Sequence, residues 1–405
     1  MSMMRLLWIG CLESEEEFKI KSKKGYNLAS AQVSQLNIIN GIEEVSGLRF
    51  DSINGSVLPP YPRYSDKIIE EVIWSHKENT FNISVGYKNI KGLNRITCKY
   101  SMINAVKIWV RDMYKGEKLV VFAYSMRSPV MAAACEIKKL IPDAKIILIV
   151  TDLPQYMDLG QSKLKALLKK FDWLHIKRMQ KEFDGFILYA QKMAEFLKIP
   201  NEKWLLMEGS YDVKDTLPLK INSYKKSKVI MYSGKLDIEY GIGMLVSAFM
   251  KIPMPDLELW ITGGGNAEEW IKDCVIKDSR IKFYGFLPLR GDVLKKQMDA
   301  SLLVNMRLPS ERASAYCFPS KLFEYMASNI PVLSFKLGGI PLEYYKHLII
   351  VDNETQESLI SAITSVFNLN DESRNFTGQK AREFILSKKT KEHQCKRIWK
   401  FVKKV

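Results

Sequence analysis

Short apolar runs alternate with longer amphipathic segments through the first half of the chain. This alternation favours βα units and a parallel sheet, because each buried strand is followed by a helix that covers it. We predict an α/β domain over residues 1–212, in which residues 59–63 form a loop and residues 64–100 show the weakest pattern. Its strands are predicted at residues 6–10, 48–50, 119–124, 145–151, 185–189 and 204–207, and its main helices at residues 25–45, 101–114, 128–140 and 161–183.

The same alternation begins again after a polar stretch near the middle of the chain. Residues 213–228 contain Pro218 and several lysines, so we predict an interdomain linker there. A second α/β domain is predicted over residues 229–388, followed by a basic helix over residues 389–405. Within this domain we predict strands at residues 229–235, 257–262, 301–305 and 331–335, and helices at residues 242–250, 268–275, 292–298 and 318–327.

Composition is that of a globular protein made in a reducing compartment. Of the 405 residues, 47% are hydrophobic and 26% are charged, and no run of about 18 apolar residues predicts a membrane span. The apolar start of the chain lacks a signal-peptide cleavage pattern, so we interpret it as a first buried strand. The six cysteines are scattered singly, which predicts neither disulfides nor a zinc site and favours the cytoplasm.

A net charge of +16 calls for a polyanionic partner. Nucleic-acid-binding motifs are absent from the sequence, so we expect an anionic membrane surface instead of nucleic acid. The segment over residues 161–183 has the pattern of a basic amphipathic helix, typical of interfacial binding. The alternative is a packed helix whose lysines only solvate its outer face. The residues assigned to the membrane surface are Lys163, Lys169, Lys170, Trp173 and Lys177.

The stretch around residues 301–335 predicts a site for a nucleotide diphosphate. A strand leads into a polar loop, and a helix begins near Pro319 and Ser320, with Lys321 beside its first turn. Free backbone N–H groups, the helix dipole and a lysine together favour bound phosphate. Glu324, one turn deeper, is placed to accept hydrogen bonds from ribose hydroxyls; its alternative is a solvated helix residue.

These residues also carry a resemblance to a known family. Glu324 and residues 327–332 resemble the donor site of retaining glycosyltransferases of family four, which have the two-Rossmann-domain (GT-B) architecture. Residues 319–321 resemble a branch found in bacterial surface-polysaccharide enzymes. Gly234 and Gly241 match family glycines, and Lys235 stands at a family arginine. Tyr316 replaces the first family glutamate and Tyr240 replaces a family lysine.

The resemblance implies two Rossmann-like domains that face each other across a cleft, with the last helix crossing back to the first domain. It places the donor in the second domain and the acceptor in the first. The implied donor residues are Gly234, Lys235, Gly264, Phe286, Tyr316, Pro319, Ser320, Lys321, Leu322 and Glu324. Gly25, Tyr124 and Asp152 are expected on the acceptor side, and Lys235, Lys321, Arg307 and Asp152 are the candidate catalytic residues. Asp152 has a helix cap as its alternative, and Arg307 a surface position.

The expected function is retaining transfer of a sugar from a nucleotide diphosphate sugar, with a UDP-sugar as the expected donor, to a lipid-linked or growing glycan acceptor. The setting is capsule or exopolysaccharide assembly at the cytoplasmic face of the cell membrane. The sequence has no Asp-x-Asp motif, so no cofactor and no divalent metal is expected. The main alternative is a non-catalytic paralogue that partners an active transferase, which Tyr316 and Tyr240 favour. An epimerase or phosphorylase on the same fold is a third interpretation.

Overall fold

The structure is a computed structural model that describes residues 4–26, 29–154, 163–216, 228–238 and 241–405. Contacts divide the chain into two compact units. Unit 1 comprises Met1–Tyr189, Met193–Met207 and Gln394–Val405, and unit 2 comprises Ala190–Lys192 and Glu208–His393. Most of the predicted linker, residues 217–227, lies outside the described residues. The prediction of an α/β fold with two parallel-sheet domains is confirmed.

Unit 1 is built on an eight-stranded sheet with the order β10-β9-β8-β7-β1-β2-β5-β4. Neighbouring strands are parallel except for the β4–β5 pair at one edge. The strands are β1 (Met4–Gly10), β2 (Phe50–Asn54), β4 (Val72–Trp74), β5 (Asn82–Ser84), β7 (Lys118–Tyr124), β8 (Lys145–Val150), β9 (Gly185–Leu188) and β10 (Trp204–Leu206), with β3 (Ile68–Ile69) and β6 (Tyr87–Lys88) forming a separate two-stranded antiparallel sheet. Chain order therefore runs outward from β7 to β10 on one side and from β1 through β2 to β5 on the other, where β4 lies at the edge.

The helices of unit 1 cover a core that is centred on aromatic residues of this sheet. Trp8 stacks on Phe122 and Tyr124, with ring centroids 6.2 and 5.8 Å away, and meets Phe50 edge-on. The helices are α1 (Glu15–Lys23), α2 (Ala29–Ser46), α3 (Asn94–Asp112), α4 (Ser128–Leu140), α5 (Lys163–Gln180), α6 (Lys192–Leu197) and α14 (Lys391–Val402). The C-terminal helix α14 places Cys395, Ile398 and Trp399 in this core.

Unit 2 is built on a six-stranded, fully parallel sheet with the order β13-β12-β11-β14-β15-β16. Its strands are β11 (Lys228–Lys235), β12 (Leu257–Gly264), β13 (Ile281–Phe283), β14 (Leu302–Asn305), β15 (Val332–Phe335) and β16 (Ile349–Val351). Its helices are α7 (Ile242–Phe249), α8 (Glu268–Lys277), α9 (Arg290–Asp299), α10 (Lys321–Ala327), α11 (Leu342–Tyr345), α12 (Gln356–Asn368) and α13 (Asp371–Lys388). The order reverses between β11 and β14, where open α/β sheets place ligands.

The structure corrects the prediction at the start of the chain. Helix α1 begins directly after Ser14, whose hydroxyl accepts from the Glu17 N–H while the Glu17 carboxylate accepts from the Ser14 N–H. Gly25 follows the end of α1 with φ = +77°, and the Tyr26 N–H donates to Lys21 across the helix end. Gly25 was predicted to open the following helix; instead it ends the preceding one, as glycine in the left-handed region commonly does.

Candidate active site

A cavity of about 420 Å³ opens at the carboxyl ends of β11 and β12 in unit 2. Five of the predicted donor residues line it, namely Gly234, Lys235, Gly264, Phe286 and Lys321. The other lining residues are Ser233, Thr262, Gly263, Leu287 and Val293. The cavity volume lies within the range of about 300–1,000 Å³ that is usual for small-molecule sites.

Glycines make one wall of this pocket from bare backbone. Gly263 has φ = +143°, and a Cβ atom built on it would lie 1.7 Å from the Gly234 carbonyl oxygen. A Cβ atom on Gly234 would lie 3.2 Å from the Lys321 Nζ atom. Gly263 therefore needs glycine because β11 and β12 approach each other closely, and a side chain at Gly234 would crowd the lysine.

Lys321 reaches the pocket because the next turn of α10 is fastened to β11. The buried Tyr325 hydroxyl lies 3.0 Å from the Ser233 N, Oγ and O atoms, and burial raises the pKa of Tyr325 to about 12. Gln297 of α9 also donates to the Ser233 hydroxyl, at 3.2 Å. One turn before Tyr325, the Lys321 ammonium donates to the Ser233 carbonyl. Local desolvation lowers the pKa of Lys321, and the Glu324 charge opposes this.

Lys235 is the last residue of β11, and its ammonium forms an ion pair with the Asp237 carboxylate. The hydrogen bond from Lys235 lowers the pKa of Asp237. The Asp237 carboxylate also accepts from the Asn266 N–H at 3.1 Å, which ties the loop after β11 to the loop after β12. The Lys235 side chain is 64% exposed, so solvent screens its charge.

Glu324 binds an arginine that the sequence analysis missed. Arg290 donates from Nε and Nη2 to the Glu324 Oε1 atom at 3.1 and 2.8 Å. Arg290 is the first residue of α9, and Val293 on the same helix lines the pocket. This contact holds the Glu324 carboxylate at the edge of the pocket. Because the two residues are 34 positions apart, no local sequence pattern connects them.

Phe286 presents an exposed aromatic face to the pocket, with 73% of its surface accessible. The loop that carries it is anchored to β12, since the Gly285 carbonyl accepts from the Thr262 hydroxyl at 2.7 Å and the Gly263 N–H at 2.9 Å. An anchored loop with a free ring offers a surface on which a planar base can stack.

The family model for glycosyl transferases group 1 matches residues 213–384, which include every residue that lines the pocket. The chain is a glycosyltransferase. No curated protein sequence matches it.

Solved structures with the same fold match this chain over nearly its whole length. Sucrose-phosphate synthase from Thermosynechococcus elongatus is 14% identical, with 99% of this chain and 98% of that chain covered and a TM-score of 0.65. The lipopolysaccharide outer core galactosyltransferase WaaB is 13% identical, with 99% of each chain covered and a TM-score of 0.67. Anabaena HepE in complex with UDP is 12% identical, with 99% and 100% covered and a TM-score of 0.64.

The other predicted donor residues of the glycosyltransferase surround the pocket without lining it. Leu322 and Pro319 are buried, and Ser320, which makes no side-chain cap hydrogen bond, is exposed before α10. Tyr316 is half-buried at the end of a short 3-10 helix. Arg307 pairs with Glu311 at 3.6 Å in the loop after β14. Tyr240 lies outside the described residues.

The predicted acceptor-side residues of the glycosyltransferase lie at the neighbouring carboxyl ends of β7 and β8 and at the end of α1. Tyr124 is 5% exposed and stacks on Trp8 in the core of unit 1. Gly25 ends α1 in a left-handed conformation, which accounts for a glycine at this position. Asp152 is half-buried just after β8. Tyr124 stands at the carboxyl end of β7, but its side chain packs in the core.

The structure also changes the predicted membrane face of α5. Trp173 packs on Phe196 with ring centroids 6.0 Å apart, and the Lys177 ammonium lies over Trp173 and donates to the Leu197 carbonyl at 3.1 Å. These two residues therefore face α6. Lys170 is exposed and Lys169 is half-buried, while the Lys163 side chain lies outside the described residues. Within the described part of the chain, no helix is long and apolar enough to cross a membrane.

Proposed function

We propose that the chain transfers a hexosyl or N-acetylhexosaminyl group from a nucleotide diphosphate sugar, with UDP as the nucleotide, to a lipid-linked or growing glycan acceptor. We further propose that the sugar keeps its anomeric configuration and that the product enters capsule or exopolysaccharide. The nucleotide assignment rests on the pocket, which combines glycine walls, two lysines and an exposed aromatic ring. Two neighbours with the same fold support it, since one was solved with UDP and another with UDP-2-fluoro glucose.

Each pocket group fits one part of a nucleotide diphosphate. The bare backbone at Gly234 and Gly263 admits the diphosphate, and Lys321 and Lys235 supply positive charge beside it. Phe286 offers a stacking face for the base, and the Glu324 carboxylate, fixed by Arg290, is placed for ribose hydroxyls. As the bond from the sugar to the diphosphate breaks, negative charge grows on the leaving oxygen. Preorganised cations at that point lower the barrier without metal.

Isothermal titration of the purified chain with UDP, GDP and ADP, with and without magnesium, tests the nucleotide assignment. Micromolar binding of UDP without metal supports the proposal and leads to transfer assays with UDP-sugars. Binding of GDP or ADP in preference to UDP would replace the assigned base. Binding of none of the three would contradict the donor pocket.

A non-catalytic partner of another transferase is the second candidate, and Tyr316 favours it because a phenol stands at the position of the first family glutamate. Release of sugar or transfer from a UDP-sugar distinguishes the two. An active chain turns the donor over slowly even without its acceptor, since water can replace the acceptor. UDP binding with no turnover of any UDP-sugar would favour the non-catalytic alternative.

We also propose that unit 1 docks on an anionic membrane through an α3–α5 ridge, defined by Ile96, Tyr100, Phe171 and Leu174. Arg95 and Lys99 of α3 contact Asp172 and His175 of α5, so the two helices run parallel. The ridge residues of α3, Ile96 and Tyr100, each come one position after a contact residue. The ridge residues of α5, Phe171 and Leu174, each come one position before a contact residue. At 100° per residue, both pairs turn to the same side.

The ridge combines apolar area with positive charge. Phe171 is 61% exposed and Leu174 48%, and Arg95, Lys99, Lys170 and Arg178 lie on or beside the ridge. Each cation near an anionic leaflet contributes about 1 kcal/mol. The variant with Phe171→Ser and Leu174→Ser should lose sedimentation with phosphatidylglycerol vesicles, while Leu140→Ser, an exposed leucine of α4, should keep it. Equal sedimentation of both variants would refute the ridge.

A further inference from the structure

The strand order of unit 1 singles out the carboxyl ends of β1 and β7. These adjacent strands lead outward to β2 on one side and β8 on the other, which is the position where open α/β sheets bind ligands. The chain leaves β7 through residues 125–128 and enters α4. We name these residues the β7–α4 turn. None of the predicted acceptor-side residues explains how a ligand would be held there.

The N-terminus of α4 has no internal partner for its backbone donors. Arg127 occupies the cap position and its side chain makes no cap hydrogen bond. The N–H groups of Met126, Arg127, Ser128 and Val130 have no acceptor among the described residues, although Met126, Ser128 and Val130 are buried. A buried helix end without partners is unusual, and such N–H groups favour a bound anion.

Ser125 is a second, independent sign of a ligand in this turn. Its φ is +78°, a left-handed conformation that is strained for a residue with a side chain. Only 5% of Ser125 is exposed, and its Oγ atom has no hydrogen-bond partner among the described residues. A buried hydroxyl without a partner in a strained turn is found where the surrounding structure serves binding.

Arg127 brings an uncompensated positive charge to the same turn. Arg127 as a whole residue is half-buried, and its guanidinium forms no hydrogen bond or ion pair with any residue that the structure describes. Burial raises the pKa of the Cys11 thiol, and the Arg127 charge is the largest opposing influence, which places that charge near the end of β1. Glu13, the carboxylate that follows Cys11, is bound by the buried Lys21 at 2.8 Å.

We propose that the β7–α4 turn binds a phosphate group carried by the acceptor. The site combines free backbone donors, the Ser125 hydroxyl and the Arg127 guanidinium, which together match a tetrahedral oxyanion with several acceptor oxygens. Assignment of this phosphate to the acceptor rests on the proposed function, since a lipid-linked glycan carries its sugar on phosphate. The binding of phosphate itself does not depend on the nucleotide assignment.

Isothermal titration with inorganic phosphate and with geranyl phosphate tests this site. The full chain carrying both Lys321→Met and Lys235→Met is the background, because the diphosphate site of unit 2 then lacks both of its lysines. We expect both probes to bind, with geranyl phosphate tighter if the phosphate is lipid-borne. Adding Arg127→Met should weaken both at least about tenfold, as loss of a charge-assisted hydrogen bond does. The control Arg111→Met, an exposed arginine of α3, should change neither.

Ser125→Gly separates a binding role from a structural one. Glycine relieves the positive φ, so this variant should unfold at a higher temperature than the wild-type chain. It also lacks the hydroxyl, so phosphate should bind several-fold more weakly. Phosphate affinity that is unchanged in both Arg127→Met and Ser125→Gly would overturn the proposal. Failure of UDP to bind the wild-type chain would refute the nucleotide assignment alone. The phosphate titrations would still test the β7–α4 turn.

Discussion

Adjacent glycines at the end of β12 provide a sharp test of the pocket wall. Gly263→Ala adds a methyl group that would lie 1.7 Å from the Gly234 carbonyl oxygen of the paired strand. Gly264→Ala adds one that would lie 3.3 Å from the Glu268 Oε1 atom, the end of a flexible side chain. The same chemical change at neighbouring positions should therefore have very different effects.

The expected magnitudes follow from these distances and from φ. At Gly263, relief of the clash requires β11 and β12 to separate by roughly 1 Å in a packed sheet, which costs about 1–3 kcal/mol. A φ of +143° adds about 1–3 kcal/mol for alanine. A combined loss of about 3 kcal/mol lowers Tm by ~6–12 °C for a unit of this size. Gly264→Ala should cost ~1 kcal/mol or less.

Thermal unfolding of the full chain measures the first effect, and hydrogen exchange of peptides that cover residues 228–235 and 257–264 assigns it to this sheet. Gly264→Ala should lower Tm by no more than about 4 °C and keep the wild-type exchange. It should weaken UDP binding, because its methyl group enters the pocket. Equal unfolding temperatures for the Gly263 and Gly264 variants would refute the close approach of β11 and β12.

Three further predictions address the charged groups. Lys321→Met should weaken UDP binding about 10- to 100-fold in titration, as loss of a charge-assisted hydrogen bond does, while Lys282→Met should leave it unchanged. Because its pKa is lowered, Lys321 should lose its proton below the usual value of about 10.4, so UDP affinity should fall as pH rises through the lowered pKa. Arg290→Gln should reduce the preference for UDP over 2′-deoxy-UDP about threefold or more, because Glu324 loses its guanidinium partner; an unchanged preference would contradict this. Burial alone would raise the pKa of Glu43, but hydrogen bonds from His76 and Lys77 lower it to about 2. The stability of the wild-type chain should therefore decline as pH falls from about 4.5 to about 2. The Tm of Glu43→Gln should decline less in acid than the Tm of the wild-type chain. Parallel curves of Tm against pH for the two proteins would show that Glu43 does not cause the acid decline.

Apolar periodicity predicted most of the fold because both large sheets are buried and, apart from the β4–β5 pair, parallel. Runs such as residues 119–124 and 146–150 are apolar on both faces, so their strands are recognised from sequence alone. Helix α1 was missed because its acidic first turn resembles a solvated loop. The signal was present, since Ser14 and Glu17 have the spacing of a capping box.

The pocket was predicted in part, and the missing part is long-range. Gly234, Gly264 and Lys321 belong to local strand–glycine and loop–helix patterns, which a sequence displays directly. Arg290 and Tyr325 act on partners far along the chain, and neither has a local pattern that marks it. Tyr124 was misassigned because alternate residues at a strand end face opposite sides of the sheet. Which of them is exposed depends on the strand register, and that register is visible only in the folded sheet.

Both units carry a cation without a carboxylate partner at the carboxyl edge of a parallel sheet. In unit 2 the Lys321 ammonium meets the Ser233 carbonyl, and in unit 1 the Arg127 guanidinium has no described partner. Partial desolvation of an unpaired charge costs free energy, and in a purely structural position a carboxylate would normally offset that cost. An arriving oxyanion offsets it instead, which makes binding and charge neutralisation the same event. The two lone cations therefore support one physical interpretation, a phosphate-bearing ligand for each unit.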